Sequence, residues 1–245
     1  MENTFETPLI NKLRKAGRSP LTLIIAVFCL IISACALLYF VPNYIKHSVI
    51  DYGAALTAVC FAVTGGAFIA VFASAGNTDR PLGSAGYTVA AIASAAFAVG
   101  AAAIGYFHFS AFFVEVSSSL CMAFGKILIK YGLGRAMTEY FELLLFTLPF
   151  FSAFAAYLSL GSSVRNNRPR TFFPILFAVV CFLHSAVAVA NFTLSTLQSR
   201  HSFGKILMSF VNQYPLLVME IINVASGILF GIFALKLARA AKKRG

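Results

Sequence analysis

The sequence PLTLIIAVFCLIISACALLYFV occupies residues 20–41 and places no charged residue in 22 positions. A helix of this length crosses the hydrocarbon core of a bilayer, which takes about 20 apolar residues. Within it, Ile32-Ser33-Ala34-Cys35 loosely matches the cleavage and lipidation site of a bacterial lipoprotein. The apolar run continues past Cys35 to Val41, and this length favours a retained membrane span over a cleaved signal peptide. Lipidation at Cys35 is the alternative.

The rest of the chain has the same apolar character. Of its 245 residues, 60% are hydrophobic and 11% are charged, whereas soluble domains are about half apolar and roughly 25% charged. Charged or turn-forming residues separate five further apolar segments, which cover residues 54–75, 87–109, 137–160, 171–193 and 215–238. The sequence therefore predicts an all-α integral membrane protein, a single bundle of about six transmembrane helices.

The basic residues are distributed unevenly about these spans. Six spans place both termini on one side, and 13 of the 19 Lys and Arg residues fall there, mostly in the tails 1–19 and 239–245 and after the fourth span. Since such residues collect in cytoplasmic loops, we expect both termini in the cytoplasm. The net charge of +11 is explained if the basic tails contact anionic lipid headgroups. We therefore expect the bilayer, and not nucleic acid, as the partner.

The overall layout, with short loops, closely packed helices and basic cytoplasmic ends, resembles that of multi-pass proteins of Gram-positive bacteria. This resemblance rests on no specific motif and implies no function. It implies that the protein lies in a bacterial cytoplasmic membrane.

The two long connections on the other side of the membrane have a helical pattern. Apolar residues recur every three or four positions in 111–131 and 194–212, with Ser and Lys on the other face. This predicts two amphipathic helices lying in the extracytoplasmic interface. The pentad Phe-Gly-Lys-Ile-Leu occurs at 124–128 and again at 203–207. It is explained either by duplication of a unit of span, interfacial helix and span or by chance in a Phe-rich chain.

Small residues recur in the second and third spans. Ala62, Gly66 and Ala70 are four residues apart, as are Ala98 and Ala102. Small side chains let helix backbones approach closely in lipid. We therefore predict that these two spans pack tightly together and that Gly66→Leu disrupts folding.

Polar residues within three spans are candidate functional residues, because polar groups inside a membrane are costly. They fall in pairs at helical spacing, one pair in each of the fourth, fifth and sixth spans: Glu139 and Glu142, His184 and Asn191, Glu220 and Asn223. Together they predict a polar site that opens to the outer face, where a His beside carboxylates binds a cation or relays protons. The alternative is that they hold helices together through hydrogen bonds or face headgroups.

Pro149 lies inside the fourth span. Proline has no backbone N–H, so it leaves the carbonyl of Leu145 without its helical donor. We therefore predict a kink in this helix at Pro149.

The sequence contains no enzyme signature. It has no P-loop, no H-E-x-x-H, no G-x-S-x-G and no acidic pair in a cytoplasmic connection. Its five cysteines lie in apolar runs without a C-x-x-C pair, so neither a disulfide framework nor a metal site is expected. We expect a non-enzymatic membrane subunit or scaffold without cofactors, with other membrane proteins as its partners. The alternative is a small-solute or ion transporter that uses the polar site.

Overall fold

A computed structural model describes residues 7–77, 80–106, 135–198 and 214–242. These residues form seven helices and no strand. The helices are α1 (Pro8–Gly17), α2 (Pro20–His47), α3 (Tyr52–Gly76), α4 (Ala85–Tyr106), α5 (Arg135–Asn166), α6 (Phe172–Gln198) and α7 (Tyr214–Ala241).

Six of the helices, α2 to α7, are long and apolar enough to cross a membrane, which confirms the prediction of six apolar helices in an all-α chain. The first predicted interfacial helix, 111–131, lies outside the described residues, and so does most of the second. Residues 194–198 of the second continue α6.

Local sequence signals set several helix ends. Pro8 and Pro20 stand in the first turns of α1 and α2, where a missing N–H costs no helical hydrogen bond. Asp51 caps α3 by accepting a hydrogen bond from the backbone N–H of Ala54 at 3.0 Å. Ser48 ends α2 with a left-handed φ of 53°. The helix α5 continues through Pro149 to Asn166.

Each apolar helix packs against the next one along the chain, and α7 also packs against α2 and α5. The helices therefore form a closed bundle. We call one end of it the basic end: it holds α1, the last turns of α3, α5 and α7 and the first turns of α2, α4 and α6. The opposite end holds the connection from α2 to α3.

Aromatic side chains from four helices meet inside the bundle. Phe68 of α3 makes edge-to-face contacts with Tyr157 of α5, at a centroid distance of 5.3 Å, and with Phe233 of α7, at 5.1 Å. Tyr157 also contacts Phe177 of α6 at 5.6 Å. All four rings are buried. We call them the central aromatic cluster, and it ties α3, α5, α6 and α7 together.

Glycines allow two helix pairs to approach closely. A Cβ added to Gly86 of α4 would lie 2.5 Å from the Cγ2 of Val71 on α3. A Cβ added to Gly227 of α7 would contact the Oγ of Ser185 on α6 and would lie 2.6 Å from the carbonyl oxygen of Cys181. The helix pairs α3–α4 and α6–α7 are therefore held at distances that only glycine permits at these positions.

The second and third spans do pack against each other. Gly66 is not at this contact: apart from the neighbouring backbone of α3 itself, no atom of the described residues lies within 4 Å of a Cβ added there. Four residues exceed one helical turn of 3.6, so each step along the predicted stripe rotates by about 40° around the helix. The stripe accordingly begins buried at Ala54 and Ala58, and Gly66 and Ala70 are exposed. Ala62 is half-buried between these two parts.

The predicted stripe on α4 points inward. Ala98 is fully buried, and Ala102, one turn further along, is half-buried. The close approach of α3 to α4 uses Ala67 and Val71 of α3 opposite Gly86.

Candidate functional site at the basic end

The short helix α1 crosses the basic end of the bundle. Just before its first turn, the Oγ1 of Thr7 donates a hydrogen bond to the Oδ1 of Asn167, in the connection between α5 and α6, at 2.6 Å. Gly17, in its last turn, lies beside Ala75 of α3, and α1 also packs against α7. Ten helical residues span about 15 Å, so α1 bridges connections on different sides of the bundle.

The side of α1 that faces the bundle is apolar and closely packed. Leu13 is completely buried and Ala16 is 5% exposed. A Cβ added to Gly17 would lie 3.1 Å from the Cβ of Ala75 on α3. Residues 8–17, expected from the sequence to belong to a basic tail, are therefore a docked amphipathic helix. The Thr7-Pro8 pair at its start and the apolar residues at helical spacing were the signals for it.

Arg14 links α1 to the C-terminal end of α3. Its Nη1 donates hydrogen bonds to the carbonyl oxygens of Ser74, at 3.3 Å, and of Asn77, and its Nη2 donates to that of Arg80 at 2.8 Å. The side chain is 8% exposed. The last carbonyls of a helix have no helical donors and carry partial negative charge. Arg14 supplies both the donors and the positive charge, and it fixes the connection between α3 and α4 to α1.

Other cations surround this contact and are exposed to solvent. They are Lys12, Lys15, Arg18, Arg80, Arg165, Arg168, Arg170, Lys236, Arg239 and Lys242. The acidic residues that the sequence has next to this end, Glu2, Glu6 and Asp79, lie outside the described ranges. The acidic positions of those ranges, such as Asp51, all fall in the half of the bundle toward the opposite end. Basic residues therefore outnumber acidic ones at this end.

The predicted polar site lies on three helices that are neighbours. The backbone places Glu139 and Glu142 on α5, His184 and Asn191 on α6, and Glu220 and Asn223 on α7. The helix α6 packs against both α5 and α7. Of the six side chains the structure describes that of His184, which is half-buried. That these residues form one site stays a prediction.

Metal binding receives no support from the described ranges, in which no group of three His, Cys, Asp or Glu side chains is placed to hold an ion.

The kink predicted at Pro149 has a local polar contact beside it. The Oγ of Ser152 donates to the carbonyl oxygen of Pro149 at 2.8 Å.

Three hydroxyl groups inside the bundle were not singled out by the sequence. Those of Tyr87, Tyr157 and Ser159 are buried and have no hydrogen-bond partner among the described residues. The Tyr87 hydroxyl lies near the end of α1, 3.8 Å from a Cβ added to Gly17. Tyr157 belongs to the central aromatic cluster. A tyrosine in an apolar span carries no sequence signal that separates such a buried hydroxyl from one at the membrane surface.

Comparison of the chain with protein-family models, with curated proteins and with solved structures finds no match. The function is therefore inferred from the geometry of the bundle and its basic end.

Proposed function

We propose that the protein is a non-enzymatic membrane subunit or scaffold, a six-span bundle that associates with other membrane proteins. The observation that carries this proposal is the central aromatic cluster. Rings from α3, α5, α6 and α7 interlock where a transport path along the bundle would have to run. Opening such a path would separate the edge-to-face ring pairs, each of which contributes about 0.5–1.5 kcal/mol beyond the burial of its area.

The arrangement of α1 supports the same proposal. It closes the basic end through Leu13, Arg14 and the Thr7–Asn167 hydrogen bond. The guanidinium of Arg14 donates there to backbone carbonyls at a helix end. This is an arrangement that holds helices in place, and we assign no reaction to it.

We place the basic end in the cytoplasm and the protein in the cytoplasmic membrane of a bacterium. The exposed cations of the basic end support this placement, because Lys and Arg accumulate on the cytoplasmic side. Lys236 and Arg239 continue the exposed stripe of Ile228 and Ile232 on α7, so they lie at the rim of the bundle. There they meet anionic lipid headgroups. The amphipathic segments 111–131 and 194–212 then belong to the extracytoplasmic side.

The subunit proposal is tested by purifying the full-length protein from its native membranes in a mild detergent. A tagged six-span protein of unrelated function, purified in parallel at matched expression, is the control. We expect one or more membrane proteins in stoichiometric amount with this chain and absent from the control, identified by mass spectrometry. Purification as an isolated chain, without any such protein, contradicts the proposal.

The second candidate function is transport of a small solute or ion. The three buried hydroxyls of Tyr87, Tyr157 and Ser159 favour it, because unpartnered polar groups are costly inside a protein and mark functional sites. Tyr157→Phe removes one hydroxyl and keeps the ring. A transporter with this variant stays folded and loses flux in reconstituted vesicles. A scaffold keeps its partners and its thermal stability.

The sequence-derived polar site is tested with His184→Ala and Glu220→Ala in the same two assays. Loss of flux by folded protein supports transport through this site. Retained partners and a modest loss of stability support the scaffold.

A further inference from the structure

The outward face of α1 and the residue that follows this helix carry three cations at the basic end. Lys12, Lys15 and Arg18 are exposed, whereas Leu13 on the other side of the helix is completely buried in the bundle. Because Leu13 points into the bundle, the three cations point away from it. We call Lys12, Lys15 and Arg18 the central patch.

The central patch is distant from the lipid that surrounds the bundle. The helix α1 packs against α3 and α7 and bonds to the connection between α5 and α6, so it crosses the bundle end instead of following its rim. Helices pack about 8–10 Å apart, so about 15 Å of protein separates the middle of six helices from the surrounding lipid. This distance exceeds the Debye length of about 8 Å at physiological ionic strength. A partner for the central patch therefore arrives from the aqueous side.

The chemistry of the patch favours an acidic protein over a nucleic acid. Tight nucleic-acid binding uses many phosphate contacts and aromatic side chains that stack on bases. The helix α1 has the sequence PLINKLRKAG, which contains no aromatic residue. Lys12, Lys15 and Arg18 follow one another at a spacing of three residues, so they line one face along which a single acidic segment can lie.

We propose that the central patch docks a carboxylate-rich segment of a cytoplasmic protein. This inference rests on the proposed cytoplasmic placement of the basic end. It deepens the scaffold proposal, because it adds an aqueous partner to the membrane partners.

The test uses the full-length protein in nanodiscs of phosphatidylcholine and a fluorescein-labelled peptide of ten glutamates. Peptide binding is measured by fluorescence anisotropy for the wild type and for two triple variants. One variant carries Lys12→Gln, Lys15→Gln and Arg18→Gln. The matched control carries Lys236→Gln, Arg239→Gln and Lys242→Gln, which removes the same charge from the same end of the bundle.

We expect the patch variant to bind the peptide about tenfold more weakly, because each exposed ion pair changes affinity by roughly twofold to threefold. The control variant should stay within about twofold of the wild type, since its cations lie at the rim. Equal weakening by both variants overturns the proposal, because it indicates attraction to net charge alone. Loss of wild-type binding in nanodiscs of phosphatidylglycerol also overturns it, because headgroups then occupy the patch.

Both faces of a nanodisc are open to the peptide, so this measurement does not depend on how the protein is oriented in cells. Failure of peptide binding therefore contradicts the docking proposal and leaves the membrane-subunit proposal to its own purification test.

Discussion

Replacing Arg14 with alanine removes the contact that joins α1, the end of α3 and the connection to α4. The guanidinium donates to the carbonyl oxygens of Ser74, Asn77 and Arg80. Alanine removes these three hydrogen bonds and the positive charge that Arg14 holds at the negative end of α3. Lys15 is the matched control, because it is a neighbouring cation of the same helix that is exposed to solvent.

The magnitude follows from the number and exposure of these contacts. A hydrogen bond to a charged group contributes about 1.5–3 kcal/mol net, and a cation at a helix C-terminus adds about 0.3–1 kcal/mol. The bond to Ser74, at 3.3 Å, is long, and Asn77 and Arg80 are exposed, so water replaces part of what is lost. We expect Arg14→Ala to lower the free energy of unfolding by about 3 kcal/mol, against less than about 0.5 kcal/mol for Lys15→Ala.

Buried cysteines provide the assay. Cys29, Cys60 and Cys181 are buried, and Cys35 is exposed. Cys35 and Cys121 are replaced by alanine, so that the remaining thiols are the buried ones. On heating, a thiol-reactive dye then labels these cysteines as unfolding exposes them. A loss of about 3 kcal/mol lowers the midpoint by about 6–12 °C in a chain of this size.

Trypsin cleavage at Lys12 and Lys15 adds a local measurement. We expect both sites to be cut faster in the Arg14 variant, because α1 undocks more often than the bundle unfolds. Lys12 remains in both variants, so cleavage there is compared directly. Equal midpoints and equal cleavage at Lys12 for Arg14→Ala and Lys15→Ala would refute the reasoning that Arg14 holds α1 in place.

Three further substitutions test the packing of the bundle with the same thermal assay. Gly227→Leu should prevent folding, because its Cβ alone collides with Ser185 and with the carbonyl oxygen of Cys181. The loss of folded protein is measured as the yield of monodisperse protein in detergent. Gly66→Leu should stay within about 0.5 kcal/mol of the wild type, because the site is open; a loss as large as that of Gly227→Leu would contradict the packing. Phe68→Ala should cost about 3–5 kcal/mol through the cavity it leaves, and a cost below 1 kcal/mol would show that the central aromatic cluster is not tightly packed.

Span length and composition predict the six apolar helices well, because a membrane span needs a long run of apolar residues. The segment 20–41 shows this directly, since it lies wholly within α2. Capping by Asp51 and the proline starts of α1 and α2 are likewise local signals.

Packing partners were less predictable, because a helical stripe does not say which neighbour it faces. The stripe through Gly66 drifts around α3 and reaches the open surface. Gly227 and Gly231 of α7, also four residues apart, pack against α6 instead. The two stripes look alike in sequence, and the fold alone decides which one meets a neighbouring backbone.

The basic end was predicted in part. The sequence gives the excess of cations there, and it does not separate Arg14, which is buried against carbonyls, from its exposed neighbour Lys15. Counting charge treats the two residues alike. Recognising the difference requires knowing that α1 folds back onto the end of α3.

The central claim is a six-span bundle with its basic end in the cytoplasm, and single-cysteine labelling tests it most directly. Lys15→Cys, Arg168→Cys and Lys46→Cys are made one at a time in a cysteine-free background, and intact cells are exposed to a membrane-impermeant maleimide. We predict that the cysteine at 46 is labelled in intact cells and that those at 15 and 168 are labelled only after permeabilisation. Labelling of positions 15 and 168 from opposite sides, or of all three from the same side, would contradict the account.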